Sequence, residues 1–197
     1  MFVTGLVLAA GASRRLGRPK QLLPYRGATL LDATLAVVRS CGFDQVIVAL
    51  GGSSAVVRAT VDLQGVEVVE NLEYASGCSS SIRTSLGHVD ERADGLVLML
   101  GDQPGVSPTA VRQLMAGSTV AMSVCRYTDG WGHPVWFRKD MFADLRQLHG
   151  DKGIWRLLNE RSGEVREAFV DGPVPADVDT WQDFAALVAS DAQGVPE

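Results

Sequence analysis

The chain has no Cys-x-x-Cys pair, no internal repeat, no low-complexity tract and no apolar run near the ~20 residues of a membrane helix. Its three cysteines, Cys41, Cys78 and Cys125, are odd in number and widely separated. That spacing argues against a disulfide framework and a structural zinc cluster, and predicts small, buried, reduced thiols in a cytoplasmic protein. Basic residues are not in excess: 18 Lys and Arg against 23 Asp and Glu leave a net charge of −5. A broad nucleic-acid footprint is therefore not expected. Neither G-x-x-x-x-G-K-[ST] nor G-x-G-x-x-G occurs. The apolar start, Phe2 to Ala12, lacks a positive leader and runs straight into Arg14 and Arg15. It predicts a first strand rather than a signal peptide, and no membrane partner.

What is present is an ordinary globular composition, 46% hydrophobic, over 197 residues. That predicts one domain over 1–190 with a flexible tail over 191–197. Near-continuous apolar runs at Val3–Ala10, Gln45–Leu50 and Gly95–Leu100 read as buried strands, with Val66–Glu70 as a shorter strand and Thr119–Val124 as a fifth. Helical periodicity or caps separate them: Leu30–Cys41, a helix through Thr60 capped by Ser53 or Ser54, Ser79–Leu86, and a helix with Ser107 as cap and Pro108 first. His133–Phe137 and Arg166–Val170 read as further strands. Lys139–Leu148, Ile154–Leu158 and a Thr180-capped Trp181–Ala189 read as helices. The alternation predicts an α/β fold of three layers, α/β/α, around a mostly parallel twisted sheet. Ligands of such sheets bind beyond the carboxyl ends of the strands, after Ala10, Leu50 and Leu100.

Two of those loops carry chemistry. After the first strand, Gly11, Ala12 and Ser13 are small enough for backbone N–H groups to cradle an anion. Four cations follow within seven residues, Arg14, Arg15, Arg18 and Lys20, in an otherwise acidic chain. After the fourth strand, Asp102 in "LMLGDQP" suits Mg²⁺, which takes one or two carboxylates plus phosphate oxygens; a turn aspartate bonding its own backbone is the alternative.

The stretch "LVLAAGASRRLGRPKQLLPY" resembles the L-A-A-G-x-S-x-R-[ML]-G-x-P-K signature of MobA-like NTP transferases, and "GDQP" resembles that family's metal-binding strand end. "GHPVWF", "LHGDKG" and "DVDTWQDF" are similar to the molybdenum cofactor cytidylyltransferase branch. The resemblance implies a Rossmann-like nucleotidyltransferase fold. It implies nucleotide contacts from Leu8, Ala9, Ala10, Gly11, Ala12 and Ser13, and triphosphate neutralisation by Arg15 and Lys20, with Arg14 and Arg18 at variable positions. It assigns metal to Asp102 and Asp179, with Asp177 as a neighbouring substitute, and the metal as Mg²⁺ or Mn²⁺. Asp102, Arg15 and Lys20 form its catalytic set.

The resemblance also places Gly77, Ser79, Ser80 and Ser81 at the loop that reads base and ribose, although the serines equally start a helix. Cys78 departs from its pattern. It puts His133, Asp151 and Lys152 on the acceptor side, with Trp131 and Trp136 near a pterin or in the core. The A-A-G form at Ala9, Ala10 and Gly11 implies CTP as nucleotide. The implied reaction transfers CMP from CTP to a molybdopterin-type cofactor, releasing pyrophosphate, with a molybdenum hydroxylase as the receiving partner. Alternatives are a GTP-using guanylyltransferase, a sugar- or polyol-phosphate cytidylyltransferase, and a non-catalytic cofactor-delivery protein.

Overall fold

Val3–Ala9 forms β1, and all seven of its residues are buried, as an apolar run covered on both faces requires. A computed structural model of the chain describes residues 1–117 and 119–193. In chain order the strands are β1, β2 (Pro24–Tyr25), β3 (Ala28–Thr29), β4 (Gln45–Leu50), β5 (Glu67–Glu70), β6 (Gly95–Leu100), β7 (Met122–Tyr127), β8 (Gly130–Arg138) and β9 (Val165–Phe169). The helices are α1 (Leu30–Ser40), α2 (Ser54–Thr60), α3 (Cys78–Ser85), α4 (Pro108–Met115), α5 (Phe142–Arg146), α6 (Gly153–Glu160) and α7 (Trp181–Gln193).

Seven strands form one sheet in the order β5-β4-β1-β6-β8-β7-β9. Pairing is parallel throughout except where β8 runs antiparallel to β6 and β7. The exception has a local cause. Tyr127 pairs with Gly130 across Thr128 and Asp129, and so short a connection can only reverse the chain.

Side chains alternate along the strands and build two cores. Val7, Val48 and Val97 face α1, α2 and α4 through Leu31, Val57 and Val111. Leu6, Ile47 and Leu98 face α3, α5 and α6 through Ile82, Leu145 and Leu158. The architecture is the expected three-layer, Rossmann-like α/β/α. Each fully buried Leu or Ile contributes about 2 kcal/mol of hydrophobic stabilisation. Thr29 and Asp32 close a capping box at the start of α1, and the Ser107 side chain caps α4.

Several boundaries differ from the sequence reading. β7 begins at Met122, not Thr119, because the Val120 N–H closes a turn on Gly117 O at 3.1 Å. Lys139–Leu148 is a 3₁₀ turn, Lys139–Met141, followed by a five-residue α5. The α7 helix reaches Gln193 and so continues into the segment expected as tail; Asp191 holds Arg26 through two 2.7 Å hydrogen bonds. The rest of that tail, 194–197, lies outside the described residues. The β2–β3 hairpin was not foreseen, since two-residue strands carry no periodicity. Its turn residues, Arg26 and Gly27, both have positive φ, 49° and 78°.

A third apolar cluster decides where the site lies. Leu16, Leu23 and Leu30 pack with Val178, and Phe184 and Leu187 of α7 pack against them. The C-terminal segment is thereby fastened over the loop that follows β1.

Candidate nucleotide and metal site

β1 sits centrally: the chain moves outward through β4 to β5, then returns to β6 on the other side of β1. The sheet therefore changes direction between these neighbours, and their carboxyl ends splay apart into a crevice. A cleft of about 460 Å³ occupies that position. Thirteen of the residues singled out from sequence line it: Leu8, Ala9, Ala10, Gly11, Ala12, Ser13, Arg15, Lys20, Gly77, Ser81, Asp102, Asp151 and Asp179. Segments far apart in sequence supply them, so their convergence is a product of the sheet.

The strained residue of the first loop is Ser13 rather than Gly11. Ser13 has φ 50°, a left-handed conformation that a non-glycine residue rarely adopts, whereas Gly11 is not among the positive-φ residues. The Ser13 carbonyl accepts from Leu16 N–H (3.1 Å) and Gly17 N–H (3.2 Å), and its hydroxyl accepts from Lys20 N–H (2.9 Å). The loop is thus folded back so that Lys20 points inward. Buried Gln21 donates to the carbonyls of Ala9 and Gly11 and pins the loop to β1. The sequence reading missed Gln21, although it directly follows the signature lysine.

Lys20 Nζ lies between two carboxylates, donating to Asp102 and, at 2.8 Å, to Asp179 Oδ1. Arg15 reaches Asp179 Oδ2 at 2.7 Å from a largely exposed position. Burial works against the ammonium charge of Lys20. The two carboxylates, Asp102 above all, outweigh it and raise its pKa. Asp179 is held below the usual carboxylate range by the hydrogen bond from Lys20 and by the Arg15 charge, against a smaller opposing effect of burial. Asp177 is raised by burial and by the neighbouring Asp102. Its carboxylate accepts from Gln103, which also donates to Pro175 O at 2.8 Å. The "GDQP" turn therefore anchors the C-terminal segment through Gln103, leaving Asp179, not Asp177, to face the cleft.

The donor set fits a divalent cation. Asp102 and Asp179 already share one positive group, and among the described residues no three His, Cys, Asp or Glu side chains form a self-sufficient metal centre. Two carboxylates with room beside an anion-binding loop match the needs of Mg²⁺ or Mn²⁺ completed by phosphate oxygens.

Four expected site residues do not line the cleft: Ser79, Ser80, His133 and Lys152. Ser79 donates to Gly150 O at 2.6 Å and Ser80 to Gly77 O at 2.7 Å, so both hydroxyls brace the start of α3. His133 is buried on β8, with its ring 5.1 Å from that of Trp155. Burial keeps it neutral, pulling its pKa down to about 4 against a smaller raising effect of a backbone contact at Leu98. Lys152 occupies the N-cap position of α6. Trp136 is core, and Trp131 donates to Glu167.

Conversely Cys78, expected as a buried filler, lines the cleft, with its thiol pushed up to about 11 by burial and nearby Asp151 and Asp102. Gly77 has φ 105°, and an added Cβ there would lie 2.7 Å from the Gly150 backbone. That close approach lets Asp151 Oδ1 accept from Cys78 N–H at 3.0 Å. Tyr74 also lines the cleft and packs on Gly51 and Gly52.

A cationic loop and a carboxylate pair that shares the Lys20 ammonium, facing each other across the switch point of a Rossmann-like sheet, suit a nucleotidyltransferase. Residues 5–165 match the profile of the MobA-like NTP transferase domain, and the chain belongs to that family. The crystal structure of Rv0371c from Mycobacterium tuberculosis H37Rv is 52% identical, with a TM-score of 0.91 over 96% of this chain and 98% of that chain. The same protein in complex with manganese is 50% identical, with a TM-score of 0.88 over 96% of this chain and 100% of that chain. Purine catabolism protein PucB of Bacillus subtilis (strain 168) is 29% identical over 203 residues, covering 93% of this chain and 94% of PucB. Nicotine blue oxidoreductase of Paenarthrobacter nicotinovorans is 40% identical over 114 residues, which are 57% of this chain and 55% of that protein. Among the described residues, no helix is long and apolar enough to cross a membrane.

Proposed function

We propose that the protein transfers CMP from CTP to a molybdopterin-type cofactor. The observation that carries this reading is the shared ammonium: Lys20 joins the anion-binding loop to Asp102 and Asp179 at the point where a triphosphate would lie. A terminal phosphate oxygen of the acceptor attacks the α-phosphorus of CTP. The bond from that phosphorus to the bridging oxygen breaks, and pyrophosphate leaves with the electron pair. The attacking phosphate is already ionised near neutral pH, so no general base is needed. Catalysis consists of positioning and charge neutralisation.

Backbone N–H groups around Ala12 and Ser13 hold the phosphates, and Arg15 and Lys20 neutralise them. Asp102 and Asp179 would hold Mg²⁺ or Mn²⁺, which would supply positive charge to offset that of the phosphates. Support for a divalent metal comes from the manganese complex of the similar Rv0371c. Asp151, which lines the cleft, would contact the acceptor. A molybdenum hydroxylase would receive the product. Three free cysteines accord with reaction in the reducing cytoplasm.

The test is pyrophosphate release with CTP, Mg²⁺ and the phosphorylated pterin cofactor, run beside GTP, ATP and UTP. Release that requires both CTP and acceptor supports the reading. Faster release with GTP overturns the base assignment, and tight cofactor binding without release identifies a delivery protein.

A further inference from the structure

Gln21 directly follows Lys20 and is only 3% exposed. Its amide has one assignment. Nε2 meets two acceptors, the carbonyls of Ala9 at 2.5 Å and Gly11 at 3.4 Å. Turning the amide over would set oxygen against oxygen at both, so the NH₂ end faces the loop. Gln21 Oε1 is buried and, among the described residues, has no hydrogen-bond partner. The side chain therefore acts on the loop through its donor alone.

The direction of these two carbonyls fixes more than the place of the loop. In a trans peptide the C=O of one residue and the N–H of the next point opposite ways. With the Gly11 carbonyl turned inward to Gln21, the Ala12 N–H is turned outward, and Ala12 lines the cleft. Among the hydrogen bonds of the described residues, the N–H groups from Gly11 to Arg15 donate to no protein group. Gly11 cannot hold this peptide plane by itself. It has no Cβ, and one added there would meet only Lys20 Cε, at an ordinary 3.6 Å. The restraint comes from Gln21.

We infer that Gln21 is a positioning residue that sets the polarity of the loop after β1: by holding the Ala9 and Gly11 carbonyls inward, it keeps the Ala12 N–H aimed at a bound phosphate. This inference rests on the reading of the cleft as a nucleotide site. A phosphate oxygen only accepts, so the same peptide unit attracts it with N–H outward and repels it with C=O outward. Gln21→Met keeps the length and bulk of the side chain but offers no donor. The Gly11 carbonyl is then released to turn toward the ligand.

The experiment uses inorganic pyrophosphate with Mg²⁺ as the probe. Titration calorimetry gives its dissociation constant for wild type and Gln21→Met, and ¹⁵N-resolved NMR follows the Ala12 amide proton in both. In wild type that proton should move downfield as pyrophosphate saturates the site. In Gln21→Met the affinity should fall at least about tenfold, the worth of one hydrogen bond to a charged group, and the Ala12 shift should be lost even at saturation. A variant that binds within twofold of wild type overturns the inference. So does weakened binding with the Ala12 shift intact, because a merely structural role would give that result. The wild-type arm needs no substitution: pyrophosphate binding that leaves the Ala12 amide unmoved overturns the inference and leaves nucleotidyl transfer standing. A wild type that binds neither pyrophosphate nor CTP overturns both.

Discussion

Lys20 Nζ, on the loop after β1, and Asp179 Oδ1, just before α7, are 2.8 Å apart across 159 residues of chain. Asp102 completes the group from the end of β6. The ammonium thus stands where two carboxylates would hold a divalent cation. Lys20→Met should leave the mostly buried Asp102 without its partner and lower stability on the order of 2–3 kcal/mol. In nucleotide-free protein, Mn²⁺ should then raise the melting temperature of the variant more than that of wild type, because the competing charge is gone. Equal shifts in the two proteins would show that ammonium and metal use different places.

Asp102 is the more buried of the two carboxylates that hold Lys20. Asp102→Asn keeps the side chain's shape but removes its charge. Pyrophosphate release should fall by about 10³-fold at saturating Mg²⁺, the scale of losing one electrostatic element of a phosphoryl-transfer site. Steady-state turnover within tenfold of wild type would remove Asp102 from the metal-binding role.

Gly51 matters through what lies against it. An added Cβ would sit 2.4 Å from Ala10 O and 2.9 Å from Tyr74 Cβ, so Gly51→Ala must push the cleft wall and the β1 loop apart. Nucleotide affinity should drop at least about tenfold, and stability should fall by about 1–3 kcal/mol. A nucleotide-induced thermal shift equal to that of wild type would mean that the wall relaxes without consequence.

His133 gives a pH dependence with a definite sign. Its folded-state pKa is about 4, below the ordinary 6.5, so the unfolded chain binds the proton more readily. The stability held by the neutral ring is full above about pH 6.5 and is lost as pH falls toward 4, up to about 3 kcal/mol. Urea denaturation of wild type should weaken across that window. His133→Gln, which cannot charge, should lose less stability between pH 7 and pH 4.5. Parallel loss in both proteins would show that His133 contributes nothing to the acid sensitivity.

The sheet's apolar strands, the caps at Ser107 and Thr180, and the loop from Gly11 to Lys20 were legible in the sequence because each is a local pattern. Burial on both faces demands continuous apolar runs, caps demand short polar side chains, and an anion loop demands small residues with cations nearby. Asp102 was legible as a carboxylate two residues past a buried strand. What no local pattern carried was the direction of hydrogen bonds and the choice among like residues. Asp179 rather than Asp177 faces the cleft because Gln103 holds Asp177. Among the hydrogen bonds of the described residues, Ser81 alone of Ser79, Ser80 and Ser81 donates none, because the Ser79 hydroxyl donates to Gly150 O and the Ser80 hydroxyl to the carbonyls of Gly77 and Glu73. His133, a polar residue that invites a catalytic role, is withdrawn against Trp155 in the core beneath α6. The sequence by itself determined the layers of the fold and the small-residue, cationic loop after β1, since both follow from composition over short stretches. Only the tertiary structure decided which side chains face the ligand and with which polarity, because that depends on partners brought from β5, α3 and the segment before α7.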